Sequence, residues 1–249
     1  KRDQEDISNK LSRDYVTGVN FLLSNQTDKA VDLFLHMLQK QENENEIESR
    51  SQFEAELTLG NLFRSRGEVD RALRIHQALD RSPNYTFEQK LLAKQQLARD
   101  FMTIGFLDRA ENLYILLVDE PEFAENALQQ LLVIYQKTKE WKKAVNIAEK
   151  LAKIYPQENN IELAQCYCEY VQSLNSENTI EKRQILQKAL LVSSRCVRAS
   201  ILLAELDMEE ENYPQAIKNL EEVLRQNPDY IGEVLSSLKL CYKPLSYNI

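Results

Sequence analysis

Only five glycines and six prolines interrupt these 249 residues. A sheet-rich or disordered chain carries more turn residues, so both are excluded. No stretch approaches the ~20 consecutive apolar residues that span a bilayer. The four cysteines, Cys166, Cys168, Cys196 and Cys241, include no Cys-x-x-Cys. Structural zinc sites use paired ligands at tight spacing, so these read as buried free thiols of a reducing compartment, and no residue is assigned to a metal. Lys and Arg form no cluster and the net charge is −8, which argues against nucleic acid or an anionic membrane surface as a direct partner. There is no glycine-rich phosphate loop. His36 and His76 have no Cys or Ser at helical spacing, and carboxylates sit in solvated runs such as "DMEEENY", 207–213. No catalytic residue and no cofactor is assigned, and the chain reads as a non-enzyme.

What is abundant is Leu, Ala, Glu, Gln and Lys, all good helix formers. The stretch "LTLGNLFRSRGEVDRALRIHQ", 57–77, places Gly60, Gly67 and Ala72 in an otherwise helical pattern. The same alanine recurs in "TDKAVDLF" (Ala30), "LDRAENLY" (Ala110), "WKKAVNIA" (Ala144) and "YPQAIKNL" (Ala216). The first four of these alanines are separated by 42, 38 and 34 residues. Twelve residues before each lie Gly18, Gly60, Ala98, Leu132 and Ala204; three after those lie Phe21, Phe63, Phe101, Tyr135 and Asp207. Small residue, aromatic three later, second small residue twelve later, with a period near 34, is the tetratricopeptide signature.

The expected fold is all-α: a right-handed tetratricopeptide superhelix of about six helix-turn-helix units plus the start of a seventh. Gly60 lets the first helix (A) of its unit approach the second (B), Ala72 is the matching small residue on B, and Gly67 is the left-handed residue that ends A. The spans are 11–43, 53–86, 91–121, 125–156, 161–193 and 197–228. Residues 1–10 form a flank, 11–242 the array, and 243–249 a frayed end of a truncated array. The polar segment 40–52 reads as a longer loop or extra helical turn. A degenerate fifth unit places its alanine slot at Arg183 and its small slot at Val171. The chain begins at Lys1 without Met, and a removed preceding segment is expected.

In such arrays the A helices line a concave groove for partner proteins. The register assigns Asn61, Arg64, Gln95, Arg99, Gln129 and Gln136 to that face, where amide and guanidinium donors suit backbone carbonyls or carboxylates. Leu57 fills the position where a carboxylate clamp needs Lys. Trp141, at the start of a B helix, reads as packing over the inter-helix turn. An apolar end face would draw two copies into a homodimer.

The blocks "LSRDYVTGVNFLLSNQTDKAVDLF", 11–34, and "LTLGNLFRSRGEVDRALRIHQ", with "ALQQLLVIYQ", 127–136, in order after them, resemble the bacterial lipopolysaccharide assembly protein B family. The resemblance implies an N-terminal membrane helix, a tetratricopeptide array on the cytoplasmic side of the inner membrane, and a C-terminal rubredoxin-like domain holding iron or zinc. It implies a non-catalytic adaptor that promotes degradation of the deacetylase LpxC by the membrane protease FtsH, opposed by an inner-membrane regulator that senses lipopolysaccharide. Lys1 and Arg2 fit the cytoplasmic flank of such an anchor. A generic scaffold with other partners, or a regulatory array of a larger enzyme, are the alternatives.

Overall fold

A computed structural model describes residues 2–24, 26–39, 46–156, 160–175 and 178–245. Among them are thirteen α-helices, one 3-10 turn and no strand. The helices are α1 (Arg2–Leu23), α2 (Thr27–Gln39), α3 (Glu46–Ser65), α4 (Val69–Arg81), α5 (Phe87–Thr103), α6 (Leu107–Leu117), α7 (Pro121–Thr138), α8 (Trp141–Ile154), α9 (Ile161–Ser173), α10 (Thr179–Val192), α11 (Val197–Glu209), α12 (Tyr213–Gln226) and α13 (Ile231–Leu245), the last following the 3-10 turn Pro228–Tyr230. The expected all-α class holds. None of these helices is long and apolar enough to cross a membrane. The chain forms two compact units, 1–127 and 128–249. In the first, consecutive helices from α1 through α6 pack on one another, and α3 also packs on α1 and α5. In the second, α8 to α13 follow the same rule, and α9 also packs on α11.

Most B helices bury one stripe at i, i+4 and i+7. In the first unit these stripes are Ala30, Phe34 and Met37 in α2, Ala72, His76 and Leu79 in α4, and Ala110, Tyr114 and Leu117 in α6. In the second they include Ala144 and Ala148 in α8, and Ala216, Leu220 and Val223 in α12. The small residue on the A helix admits what sits sixteen residues later on B. A methyl group built on Gly18 would lie 2.6 Å from the Phe34 ring, and one on Gly60 would lie 2.4 Å from Nε2 of His76. The glycines are therefore required by the rings they carry, and Ala72 is only the neighbour of that contact.

The turns repeat as well. Gly67, Gly105, Lys139 and Glu211 all have φ between 58° and 79°, each five residues before its unit's alanine. The residue after each donates its N–H five residues back: Glu68 to Phe63 at 2.8 Å, Phe106 to Phe101 at 2.9 Å, Glu140 to Tyr135 at 2.9 Å, and Asn212 to Asp207 at 2.7 Å. This is the Schellman closure, which satisfies carbonyls the helix end leaves open. Lys139 and Glu211 adopt the left-handed conformation without glycine's freedom.

The structure adds detail to two sequence expectations and corrects a third. The helix α1 starts at Arg2, so the expected flank is helical over residues 2–10. Residues 46–52 are the first turns of α3, in line with the extra-helix reading of the 40–52 segment; 40–45, and 246–249 of the expected frayed end, lie outside the described residues. The fifth unit has a different register. In α9, Leu163, Tyr167, Cys168 and Val171 are buried as Ala199, Leu203, Ala204 and Asp207 are in α11. Cys168 is therefore the small slot and Val171 the aromatic slot. Lys182, fourth in α10 as Ala216 is fourth in α12, takes the alanine slot in place of Arg183. The connection is two residues longer than in the other units, which a fixed spacing of twelve misses.

Gly60→Ala gains helix propensity of about 1 kcal/mol but must displace the His76 ring, so a net loss of about 1–2 kcal/mol is expected. Gly232→Ala meets nothing within 4 Å and should gain about 0.5–1 kcal/mol. Urea midpoints of the two variants test the difference in sign.

Candidate functional site

In the first unit the residues assigned to an open face are largely engaged with one another. Arg64 uses both terminal nitrogens twice. Its Nη1 donates to the Gln96 carbonyl at 3.1 Å and to Asp100 Oδ1 at 2.8 Å. Its Nη2 donates to Asn61 Oδ1 at 2.7 Å and Gln96 Oε1 at 2.9 Å. Asp100 is fully buried, and its Oδ2 lies 2.6 Å from Nδ1 of His76, also fully buried. An ionised carboxylate only accepts, so Nδ1 carries the proton. Nε2 sits 3.5 Å from the Leu57 carbonyl, at the outer edge of a hydrogen bond. Thus α3, α4 and α5 are joined through one carboxylate. The Tyr114 hydroxyl lies beside this network; burial pushes its pKa up, while Arg99 and Arg64 pull the other way. Gln95 donates to Asn126 at 3.2 Å. Arg64 stitches neighbouring A helices together, and Asn61 on the same helix accepts from it.

In the second unit, Gln136 donates to Cys166 Sγ at 3.8 Å, and Gln129 is exposed on α7. Trp141 is half-buried at the first position of α8, and no contact of its ring identifies a partner. The open feature of this unit lies further along. A cleft of about 600 Å³ is lined by Gln165 and Gln172 of α9, Arg198, Ile201 and Glu205 of α11, and Tyr230 and Glu233 beyond α12. A smaller cavity of about 190 Å³, lined by Met208, Val234 and Ser237, shares Glu205 and Glu233 with it. Counting from the small slot, the open face falls at −3, +1 and +4. With Cys168 as the slot these positions are Gln165, Glu169 and Gln172; with Ala204 they are Ile201, Glu205 and Met208. Sequence reasoning omitted the first set because its fifth-unit register was wrong.

Arg198 spans the α9 face. Its Nη1 donates to Glu169 Oε1 at 2.6 Å, and Nη2 donates to Gln172 Oε1. Arg195 also lines the cleft; Arg195 and Arg198 lie at the N-terminal end of α11, Glu205 lies about two turns further along the same helix, and Glu233 shares the smaller cavity with it. Desolvation, then the neighbouring Glu209, raises the Glu205 pKa. Behind the cleft Asp207, fully buried in the slot where other units hold an aromatic ring, meets Arg183 Nη1 at 2.7 Å and accepts from Asn219 Nδ2 at 2.6 Å. Burial lowers the Arg183 pKa, and Asp207 and Glu210 outweigh it, so the net direction is up. The placement explains why Asp207 breaks the aromatic run: it anchors α10 and α12 to α11.

Among the described residues no three His, Cys, Asp or Glu side chains converge.

Comparison with known proteins follows from this geometry. The SHNi-TPR family profile matches residues 201–225. The chain is 83% identical over 246 residues to "Lipopolysaccharide assembly protein B" of Haemophilus influenzae, covering 99% of this chain and 62% of that protein. It is 47% identical to the protein of the same name in Escherichia coli K12, covering 98% of this chain and 61% of that one. The chain thus spans a little over three fifths of the curated relatives it matches. A tetratricopeptide repeat protein from Parabacteroides merdae is similar in structure, with a TM-score of 0.53, 12% identity, and coverage of 94% of this chain and 99% of that one. The Naa15/Naa10 structure bound to HypK-THB gives a TM-score of 0.58 at 13% identity, covering 95% of this chain and 36% of that one. Both likenesses concern the fold alone.

Asp100→Ala leaves Arg64 and His76 without their shared acceptor, and a loss of about 3–5 kcal/mol is expected. Arg64→Met/Asp100→Asn should lose less than the two single changes summed, which a denaturation double-mutant cycle measures.

Proposed function

The chain belongs to the lipopolysaccharide assembly protein B family, and we propose that it acts there as a non-catalytic adaptor holding a partner segment against the A helices of its second unit. The observation that carries this is a cleft lined by Arg195 and Arg198 at the start of α11 and by Glu205, about two turns further on, with Glu233 beside it. Opposed charges fix the direction of an extended segment, and amides of Gln165 and Gln172 suit its backbone. Ile201 and Tyr230 supply apolar contact beside the charged groups. Gln95, Arg99, Gln129 and Gln136 are proposed as further contacts, each within its own unit.

The family resemblance supplies the partners: LpxC as the segment's owner, FtsH as the protease, and an inner-membrane regulator that senses lipopolysaccharide as the opponent. The setting is the cytoplasmic side of the inner membrane, through an anchor outside this chain. Physically, the adaptor acts by co-localisation. A tethered substrate reaches an effective concentration on the order of millimolar at its protease without any new chemistry.

Purified LpxC should be captured by the chain, and Glu205→Lys/Glu233→Lys should reduce capture at least about tenfold, since each lost or reversed interface charge pair is worth on the order of 1–2 kcal/mol. Lys188→Glu, an exposed change on α10 outside the cleft, should leave capture unchanged. Equal capture by the chain and the double cleft variant, both folded by circular dichroism, would remove the cleft from the proposal.

A further inference from the structure

Four cysteines are buried and none is paired in a disulfide. They are not chemically equivalent. Cys168 of α9 and Cys196, the residue capping the N-terminus of α11, place their sulfurs 3.8 Å apart. A disulfide bond is about 2.05 Å long, so joining them takes a closure of under 2 Å, within reach of side-chain rotation. Cys196 is buried, but it is among the residues that line the 600 Å³ cleft, the open space from which a water-sized oxidant would approach it. Cys168 lies behind it, fully buried. The arrangement is an attacking thiol at a helix N-terminus with a resolving thiol behind.

We propose that Cys196 and Cys168 form a peroxide-reactive thiol pair, a modification site that closes reversibly into a disulfide joining α9 to the start of α11. The Cys196 thiolate attacks one oxygen of hydrogen peroxide. A sulfur–oxygen bond forms, the oxygen–oxygen bond breaks, and hydroxide leaves. The Cys168 sulfur then attacks the sulfenic sulfur of Cys196. The sulfur–sulfur bond forms, the sulfur–oxygen bond breaks, and the departing hydroxide takes the Cys168 proton as water. Two thiols and one peroxide become one disulfide and two waters.

The surroundings favour this division of roles. The Cys196 thiol is held below its ordinary pKa, first by its hydrogen bond with Cys168, then by the Ala199 N–H and the Arg198 guanidinium and N–H; burial opposes them. The Cys168 pKa is pushed up, first by Cys196 and then by burial. Glu169 is the carboxylate facing the pair, and it is held by Arg198. Cys166 and Cys241 have no sulfur neighbour, and burial raises both of their pKa values. They serve as internal controls.

The test is limited oxidation of the native chain with a small excess of hydrogen peroxide, followed by alkylation and peptide mass mapping. One bridged peptide pair, Cys168–Cys196, about 2 Da lighter than the reduced pair, is expected, and dithiothreitol should reverse it. Cys166 and Cys241 should stay open to alkylation after unfolding. In Cys168→Ser, Cys196 should stop at the sulfenic acid and be trapped by dimedone at least about tenfold faster than Cys166 or Cys241. Bridging that appears only in urea, or oxidation spread equally over all four cysteines, would overturn the proposal. The wild-type bridge is decisive by itself should Cys168→Ser fail to fold.

Discussion

The structure depends on one steric constraint: each A helix can press against its B helix only where a small side chain faces a large one. Gly18 lies under Phe34 and Gly60 under His76, with no room for even a methyl group. The same two positions hold Ala98 and Tyr114 in the third unit and Ala204 and Leu220 in the sixth. In the fourth unit the sizes reverse, with Leu132 on A and Ala148 on B. The combined volume is conserved while the residues are not, as close-packed interiors require. Dispersion and burial at these crossings are what make a helix pair into a unit, and units into a stack.

Charge is used inside this frame to join one helix pair to the next. Asp100 is buried beneath Arg64 and His76, and Asp207 beneath Arg183 and Asn219. A buried carboxylate is tolerated only when its partners are already in position. These pairs therefore specify which neighbour each helix accepts more than they add stability. Where an arginine instead lies along the surface, as Arg198 does over the α9 face, it leaves a cleft with separated charges beside it. The same residue type that closes the first unit's face borders an opening in the second.

Much of this was legible in the sequence, for physical reasons. Small residues at fixed spacing report helix crossings directly, so the units around Ala30, Ala72, Ala110, Ala144 and Ala216 and the turn at Gly67 read correctly. The fifth unit did not, because Cys168 is a small residue that does not look like one and its connection is two residues longer. The open-face positions at −3, +1 and +4 were the right rule; with Cys168 in the slot they yield Gln165 and Gln172, which line the cleft. The fates of Asn61 and Arg64 were not legible. Whether a donor on a helix face meets a partner or a neighbouring helix depends on a carboxylate thirty-six residues from Arg64, at Asp100. Sequence periodicity carries no information about such a long-range pairing.

The sixth unit's own solution to the crossing offers the most direct measurement. Installing it in the first unit gives Gly18→Ala/Phe34→Leu, to be compared with each single change by urea denaturation. The account predicts that Gly18→Ala is destabilising and that Phe34→Leu recovers at least about 1 kcal/mol of the loss in the double variant, a coupling of the size seen between residues in contact. Strictly additive single effects would show that small and large residues at these crossings do not answer one another, and would contradict it.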